Sequence, residues 1–252
     1  DYYTANRNDM IPKIIHYCWF GRNPLPPLAK KCIASWKKHL PEYEIKEWNE
    51  DNFDLDMFPY AREAYDNRKF AFVTDIVRLY ALYNEGGIYM DTDVEVLKSL
   101  DGFLHHTAFS GFENETDVPT GIMASEKGGL WAKENLEYYN GRHFVKSDGS
   151  LDTTTNVTII TDYMVKKGLK QKNGYFDFPG LITIYPKDYF CPKSYRDKKI
   201  YLTENTVTIH HFAGSWQPKK GKRRVIYIFG SKTGDAIYHY YIKLRTLFKH
   251  GK

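Results

Sequence analysis

The sequence is poor in cysteine and has no long apolar run. Its three cysteines, Cys18, Cys32 and Cys191, are an odd number and form no Cys-X-X-Cys pair. That argues against a disulfide framework or a structural zinc site, and suits a reducing cytosol. No stretch approaches the ~20 apolar residues of a membrane-spanning helix. The first residues, Asp1-Tyr2-Tyr3-Thr4, are polar and hold no apolar core segment, so no signal peptide is read there, although the chain does not begin with Met. There is no G-X-G-X-X-G fingerprint and no P-loop, which excludes those two backbone phosphate cradles. A cytoplasmic protein is the expectation.

The charge is unevenly spread. The net charge of +5 comes from the end of the chain, where residues 217–252 carry ten Lys and Arg against Asp235 alone. That segment is +9, which leaves −4 for everything before it. Aromatic residues are abundant, with 21 tyrosines; they suit stacking on sugars and bases, although many must serve the core. A chain of 252 residues fits one α/β domain, or one domain with a small appendage. We expect a domain over residues 1–216 and a basic extension over 217–252.

The most informative stretch is Gly86-Gly87-Ile88-Tyr89-Met90-Asp91-Thr92-Asp93. The glycines allow a helix to stop and the backbone to turn. Ile88 to Met90 suits a short buried strand. Asp91 and Asp93, two apart in an extended segment, would then share a face. Two hard oxygen ligands at a strand end suit Mg²⁺ or Mn²⁺. Upstream, Val73, Ile76, Val77, Tyr80 and Ala81 make an apolar helical stripe within a helix predicted over 69–85. Asp75 and Arg78, three apart, fall together on a neighbouring face. They form either a surface ion pair worth about 0.3–0.5 kcal/mol or a pair pointing into a cleft at the carboxyl ends of strands.

The run from Thr74 to Arg78 and on through Asn84-Glu85 to Asp93 resembles the DXD sugar-transferase family, which includes fungal α-mannosyltransferases and bacterial capsular-polysaccharide transferases. It is more distantly similar to the glucosylating domain of the large bacterial toxins. The resemblance extends from about Ile11 to Trp216. It implies a GT-A-type α/β fold, with a mixed central sheet flanked by helices. It also implies that Asp75 and Arg78 contact the donor sugar, that Tyr89 lies against the donor, and that Asp91 and Asp93 handle ribose and metal. Trp19, after a first strand over 11–20, would stack on the nucleotide base. Without the resemblance it reads as core. His16, inside that strand, reads as structural.

Further along, a helix is predicted over 28–39, a strand over 43–48, a polar loop over 49–58 and a strand continuing over 94–97. Thr107 to Phe112 and Gly121 to Ser125 are candidate strands, and Leu130 to Tyr139 a candidate helix. Asp152 to Asn156 reads as a cap for a helix over 157–167. The resemblance places an acceptor pocket in this half, which makes Asn156 and Asp152 site candidates. The strand before His210-His211-Phe212-Ala213-Gly214-Ser215-Trp216 is the second informative stretch. By the family's spacing His211 is the third metal ligand and His210 faces away. Imidazole beside carboxylates favours Mn²⁺ over Mg²⁺. Gly214, Ser215 and Trp216 resemble a loop that closes over the diphosphate.

The resulting expectation is a metal-dependent, retaining transferase. It would move a hexose from a nucleotide diphosphate sugar, UDP before GDP, to a glycan or lipid-linked glycan. A diphosphate hydrolase using the same carboxylates, and a polysaccharide-binding module with a structural cation, are the competing readings. In the basic extension Ile237, Tyr241, Leu244 and Phe248 are spaced like an apolar helical stripe, with Lys243, Arg245 and Lys249 off it. That is a packed C-terminal helix or a segment for an anionic membrane surface. Nucleic acid is not an expected partner.

Overall fold

The structure, a computed structural model, describes residues 11–194 and 196–214. The described residues up to Phe212 form one compact unit. Its centre is a seven-stranded mixed sheet in the order β2-β1-β3-β6-β5-β8-β7. The strands are β1 (Ile14–Cys18), β2 (Glu44–Trp48), β3 (Gly87–Met90), β5 (Ala108–Gly111), β6 (Ile122–Ser125), β7 (Phe176–Phe178) and β8 (Ile182–Tyr185). A separate antiparallel pair joins β4 (Val94–Val96) to β9 (Thr208–His210). β1 runs parallel to β2 and β3, and β5 parallel to β8, while β6 is antiparallel to both its neighbours. β1, β3, β5 and β8 therefore share one direction and end on one edge.

Apolar residues on both faces of β3 explain its unbroken apolar run. Tyr89 joins the core on one side and Ile88 and Met90 the core on the other. The Tyr89 side is covered by α2 (Pro59–Asp66), α3 (Phe70–Glu85), α4 (Leu130–Glu137) and α5 (Asn156–Lys166). The other side is covered by α1 (Pro27–His39), the β4–β9 pair and α6 (Lys187–Phe190). This is the expected mixed sheet flanked by helices.

The turn into β3 is set by sterics. Gly86 has φ 71 and Gly87 φ 114. A Cβ on Gly87 would lie 2.6 Å from the Ile14 carbonyl of β1, and one on Gly86 2.6 Å from the Lys127 backbone nitrogen. Only glycine tolerates both the dihedral and the close approach. His16 has the structural role expected of it. Trp48 donates its indole N–H to Nδ1, which leaves Nε2 protonated to donate to the Gly86 carbonyl at 2.7 Å. It thus ties two strands to the turn before the aspartates.

Four elements go beyond the sequence expectations: α2, β7, β8 and α6. Residues 215–252, and with them the expectations for Ser215, Trp216 and the basic extension, lie outside the described residues. Among the described residues no helix is long and apolar enough to cross a membrane.

Candidate active site

The shared sheet edge collects the polar residues. Trp19 comes directly after β1, Asp91 directly after β3, and Glu113 lies two residues past β5. α3 runs beside this edge and brings Asp75 and Arg78 to it. These two are no surface pair: each side chain is 11% exposed, with Arg78 Nη2 at 3.3 Å from Asp75 Oδ1. The same nitrogen is 3.4 Å from Asp91 Oδ1. The guanidinium carbon lies 4.6 Å from the centre of the Tyr89 ring, a cation–π contact. Tyr89 donates its hydroxyl proton to Asp91 Oδ1 at 2.8 Å. Tyr89 and Asp91 are two apart at the end of β3, so both face α3.

Asp91 and Asp93 converge by a different route from the extended segment expected. β3 stops at Met90, and Asp91 to Val94 is a turn closed by the Val94 amide donating to the Asp91 carbonyl at 2.9 Å. The Asp91 amide donates to the Gly121 carbonyl at 2.8 Å. Gly121 also makes room. A Cβ there would be 3.1 Å from Asp91 Oδ2, 3.1 Å from His210 Cε1 and 3.0 Å from Val94 Cγ2. With Oδ1 engaged by Tyr89 and Arg78, Oδ2 of Asp91 is the oxygen turned toward the histidine.

That histidine is His210, which corrects the assignment of His211. β4 and β9 pair with Val94 opposite His210, and the His211 amide donates to the Asp93 carbonyl at 3.0 Å. Consecutive strand residues point to opposite faces. His210 therefore points at the carboxylates, with Nε2 3.3 Å from Asp93 Oδ1 and 3.8 Å from Asp91 Oδ2. His211 is turned the other way and pairs through Nε2 with Glu95 at 2.7 Å, a carboxylate also held by Lys31 from α1 at 3.0 Å. Ligand atoms of Asp91, Asp93 and His210 all lie within 4.8 Å of one another. Two carboxylates and an imidazole fit a divalent cation that accepts mixed oxygen and nitrogen donors.

The electrostatics are those of a buried site with excess negative charge. Burial pushes the Asp75 carboxyl up to about 6, against the pull of Arg78 and with the help of Asp91. Burial likewise pushes Glu113 up to about 7, although His210 draws it down. Burial works against a charged His210, but Asp93 and the neighbouring Cys191 outweigh it and hold the imidazole well above its usual pKa. Glu113 Oε2 is 4.0 Å from His210 Nδ1.

The other expected site residues are more loosely placed. Trp19 lies at the carboxyl end of β1, half-buried, with its indole N–H on the Asn23 carbonyl. Asn156 opens α5 and is buried; its backbone draws the Asp75 pKa down a little, and its side chain donates to the Tyr139 hydroxyl at 3.3 Å. The cap of α5 is Thr155, within the stretch expected to cap it, while Asp152 closes a local turn onto Thr154. Gly214 has φ 58. Sequence reasoning missed Glu113, Gly121 and Cys191. Glu113 could have been found by inspecting the residues just past each strand that ends on the same edge as Asp91.

Residues 26–110 match the family model of the glycosyltransferase sugar-binding region containing the DXD motif. Among curated proteins, inositol phosphoceramide mannosyltransferase 3 of Schizosaccharomyces pombe is 30% identical over 131 residues, which is 49% of this chain and 36% of that protein. The chain thus spans about a third of the length of this relative. A glycosyltransferase of Acanthamoeba polyphaga mimivirus, L373, is 26% identical over 219 residues, 83% of this chain and 85% of the viral one. Among solved structures, the PaToxG glycosyltransferase superposes with a TM-score of 0.45 at 19% identity, covering 63% of this chain and 70% of its own. The matched residues 26–110 include the whole Asp75–Arg78–Tyr89–Asp91–Asp93 network, so it is the part of the chain holding the site that is similar to the glycosyltransferase sugar-binding region containing the DXD motif.

Proposed function

We propose that the protein is a divalent-metal-dependent glycosyltransferase. It moves a hexose from a nucleotide diphosphate sugar to a hydroxyl of a glycan or lipid-linked glycan, with retention of anomeric configuration. The observation that carries this reading is the convergence of Asp91, Asp93 and His210 at a strand edge, with Arg78 and Asp75 buried beside them. Asp91, Asp93 and His210 would hold a divalent cation, Mn²⁺ before Mg²⁺, which would supply positive charge against a leaving diphosphate.

The chain's own residues divide the remaining work. Arg78 and Tyr89 fix one oxygen of Asp91, which leaves the other for the cation. Arg78, buried between two carboxylates, holds Asp75 where a donor sugar hydroxyl would meet it. Trp19, at the end of the neighbouring strand, offers a half-exposed ring for a base. No side chain here is assigned as a covalent nucleophile, so front-face attack by the acceptor is the route that fits. The toxin-like features of the stretch favour a UDP-sugar. The names of the fungal relatives describe transfer of mannose to inositol phosphoceramide, and so add mannose donors and lipid acceptors to those worth assaying.

The test is incubation with Mn²⁺ and a panel of UDP- and GDP-sugars, with free nucleotide as the readout. Slow release from one donor, accelerated by an acceptor and absent from Asp93→Asn, supports the transferase. Fast release indifferent to acceptor would make the protein a hydrolase, and no release from any donor would leave a binding module.

A further inference from the structure

His210 has one nitrogen that the candidate metal site does not use. Nε2 faces Asp93 and Asp91, whereas Nδ1 is buried and has no hydrogen-bond partner. Buried polar groups are almost always paired, and an exception calls for an explanation. A cation at Nε2 needs that nitrogen's lone pair, which puts the ring's single proton on Nδ1. An N–H then points into the protein and requires an acceptor. Among the described residues the Glu113 carboxylate faces Nδ1, and the Cys191 thiol is close enough to act on the ring. The thiol donates its own proton to the Glu113 carbonyl at 3.4 Å, and its sulfur is only a weak acceptor, which makes the carboxylate the stronger partner for an N–H.

We propose that Glu113 is the positioning residue of His210: its carboxylate accepts a hydrogen bond from Nδ1–H and thereby aims Nε2 at Asp91 and Asp93. The inference rests on the metal reading above. The separation of 4.0 Å between Nδ1 and Oε2 is too long for a direct bond. A side-chain rotation that closes about 1 Å, or a single bridging water, completes the contact. The backbone of Glu113 is well fixed for the task. Its amide donates to the Asp117 carbonyl at 2.9 Å, and the turn between them is closed by Asn114 Oδ1, which accepts from the Thr116 and Asp117 amides at 2.8 and 3.0 Å. Glu113 is not itself one of the clustered ligands, because it approaches the ring from the nitrogen opposite the carboxylates. Metal-bound histidines commonly donate their second N–H to a carboxylate, which fixes the tautomer and the ring orientation.

The experiment is a Mn²⁺ titration followed by the electron paramagnetic resonance signal of the free ion, with the melting temperature of each variant measured alongside. The wild type and Asp93→Asn report on the metal site itself: binding by the first and not the second upholds it, and no binding by the wild type overturns both the site and this proposal. With the site upheld, Glu113→Ala should weaken Mn²⁺ binding about ten- to a hundredfold. Glu113→Gln, whose amide oxygen still accepts an N–H, should retain most of the affinity. A merely structural role would lower the melting temperature and leave the affinity of the folded protein alone. If Glu113→Ala does not fold, Glu113→Met, of similar length and with no acceptor, takes its place. Unchanged Mn²⁺ affinity in the variant without an acceptor overturns the proposal, as does a loss reproduced by Cys191→Ala and not by the Glu113 variants.

Discussion

Replacing Arg78 by Ala tests the central network more sharply than replacing any carboxylate. Arg78 is the positive charge between Asp75 and Asp91, and its own side chain and that of Asp75 are each 11% exposed. Breaking a buried ion pair by removing one partner costs about 3–5 kcal/mol, because the other charge is left without compensation. An exposed pair would lose under about 1 kcal/mol. The pH dependence separates the two cases again. In the wild type the Asp75 pKa is raised to about 6, so the stability associated with its protonated form is present below the unfolded carboxylate pKa and is lost as pH rises toward 6. Above that the curve is flat with respect to this group. Without Arg78 the Asp75 pKa rises further, and the decline continues past pH 6 by up to about 1.4 kcal/mol per pH unit for one proton. The destabilisation by Arg78→Ala should therefore be larger at pH 8 than at pH 6, and Asp75→Asn added to it should remove most of that difference. Urea denaturation at the two pH values measures this directly, provided the slope stays unchanged. A loss below about 1 kcal/mol that is the same at both pH values would return the pair to the surface.

The same geometry makes further outcomes testable. His210→Ala should reduce Mn²⁺ affinity far more than His211→Ala, which instead frees Glu95 and loosens the β4–β9 edge; isothermal titration of both variants with Mn²⁺ decides it, and the reverse ranking would restore His211. Gly121→Ala places a methyl about 3 Å from Asp91 and His210 and should lower metal affinity with little change in melting temperature; normal affinity would mean that the cluster has slack. The basic extension makes its own prediction: the intact protein should sediment with anionic liposomes at low salt and be released by high salt, whereas a chain ending near Gln217 should not bind. Equal sedimentation of the two would remove a membrane role for residues 217–252.

The regular part of the fold was legible because its signals are local. The apolar stripe of α3, the two glycines and the run Ile88 to Met90 each obey a period or a steric rule that needs no knowledge of the partner. Apart from α2, which opens on Pro59 and buries Tyr60, Ala61 and Ala64 at helical spacing, the missed elements had no such signal. β7 and β8 are three and four residues long, and α6 is a single turn. Their placement depends on what the rest of the sheet leaves uncovered. The histidine assignment shows the same limit. A spacing rule counts residues from a motif, whereas the face on which a side chain emerges is set by strand register, here Val94 against His210. Glu113 was invisible for a related reason: nothing in Phe112-Glu113-Asn114 marks a site until β5 is known to end on the same edge as β3.

That shared edge also accounts for the charge of the site. A strand direction common to β1, β3 and β5 brings the residues just past them together, and two of those three segments carry acids. Asp75, Asp91, Asp93 and Glu113 supply four carboxylates to one largely buried region, and among the described residues the positive groups between them are Arg78 and His210. So many carboxylates gathered in an apolar surrounding would be destabilising if the fold were their only reason for being there. The raised pKa values of Asp75 and Glu113 express that strain in the protein alone. A divalent cation has the charge that the four acids lack, and it would sit where Arg78 cannot reach, between Asp91 Oδ2, Asp93 and His210. The arrangement is therefore better suited to holding a metal and its anionic ligand than to stabilising the sheet. On this argument adding Mn²⁺ should raise the melting temperature of the wild type and leave that of Asp93→Asn unchanged. Equal shifts in the two proteins would place the ion elsewhere.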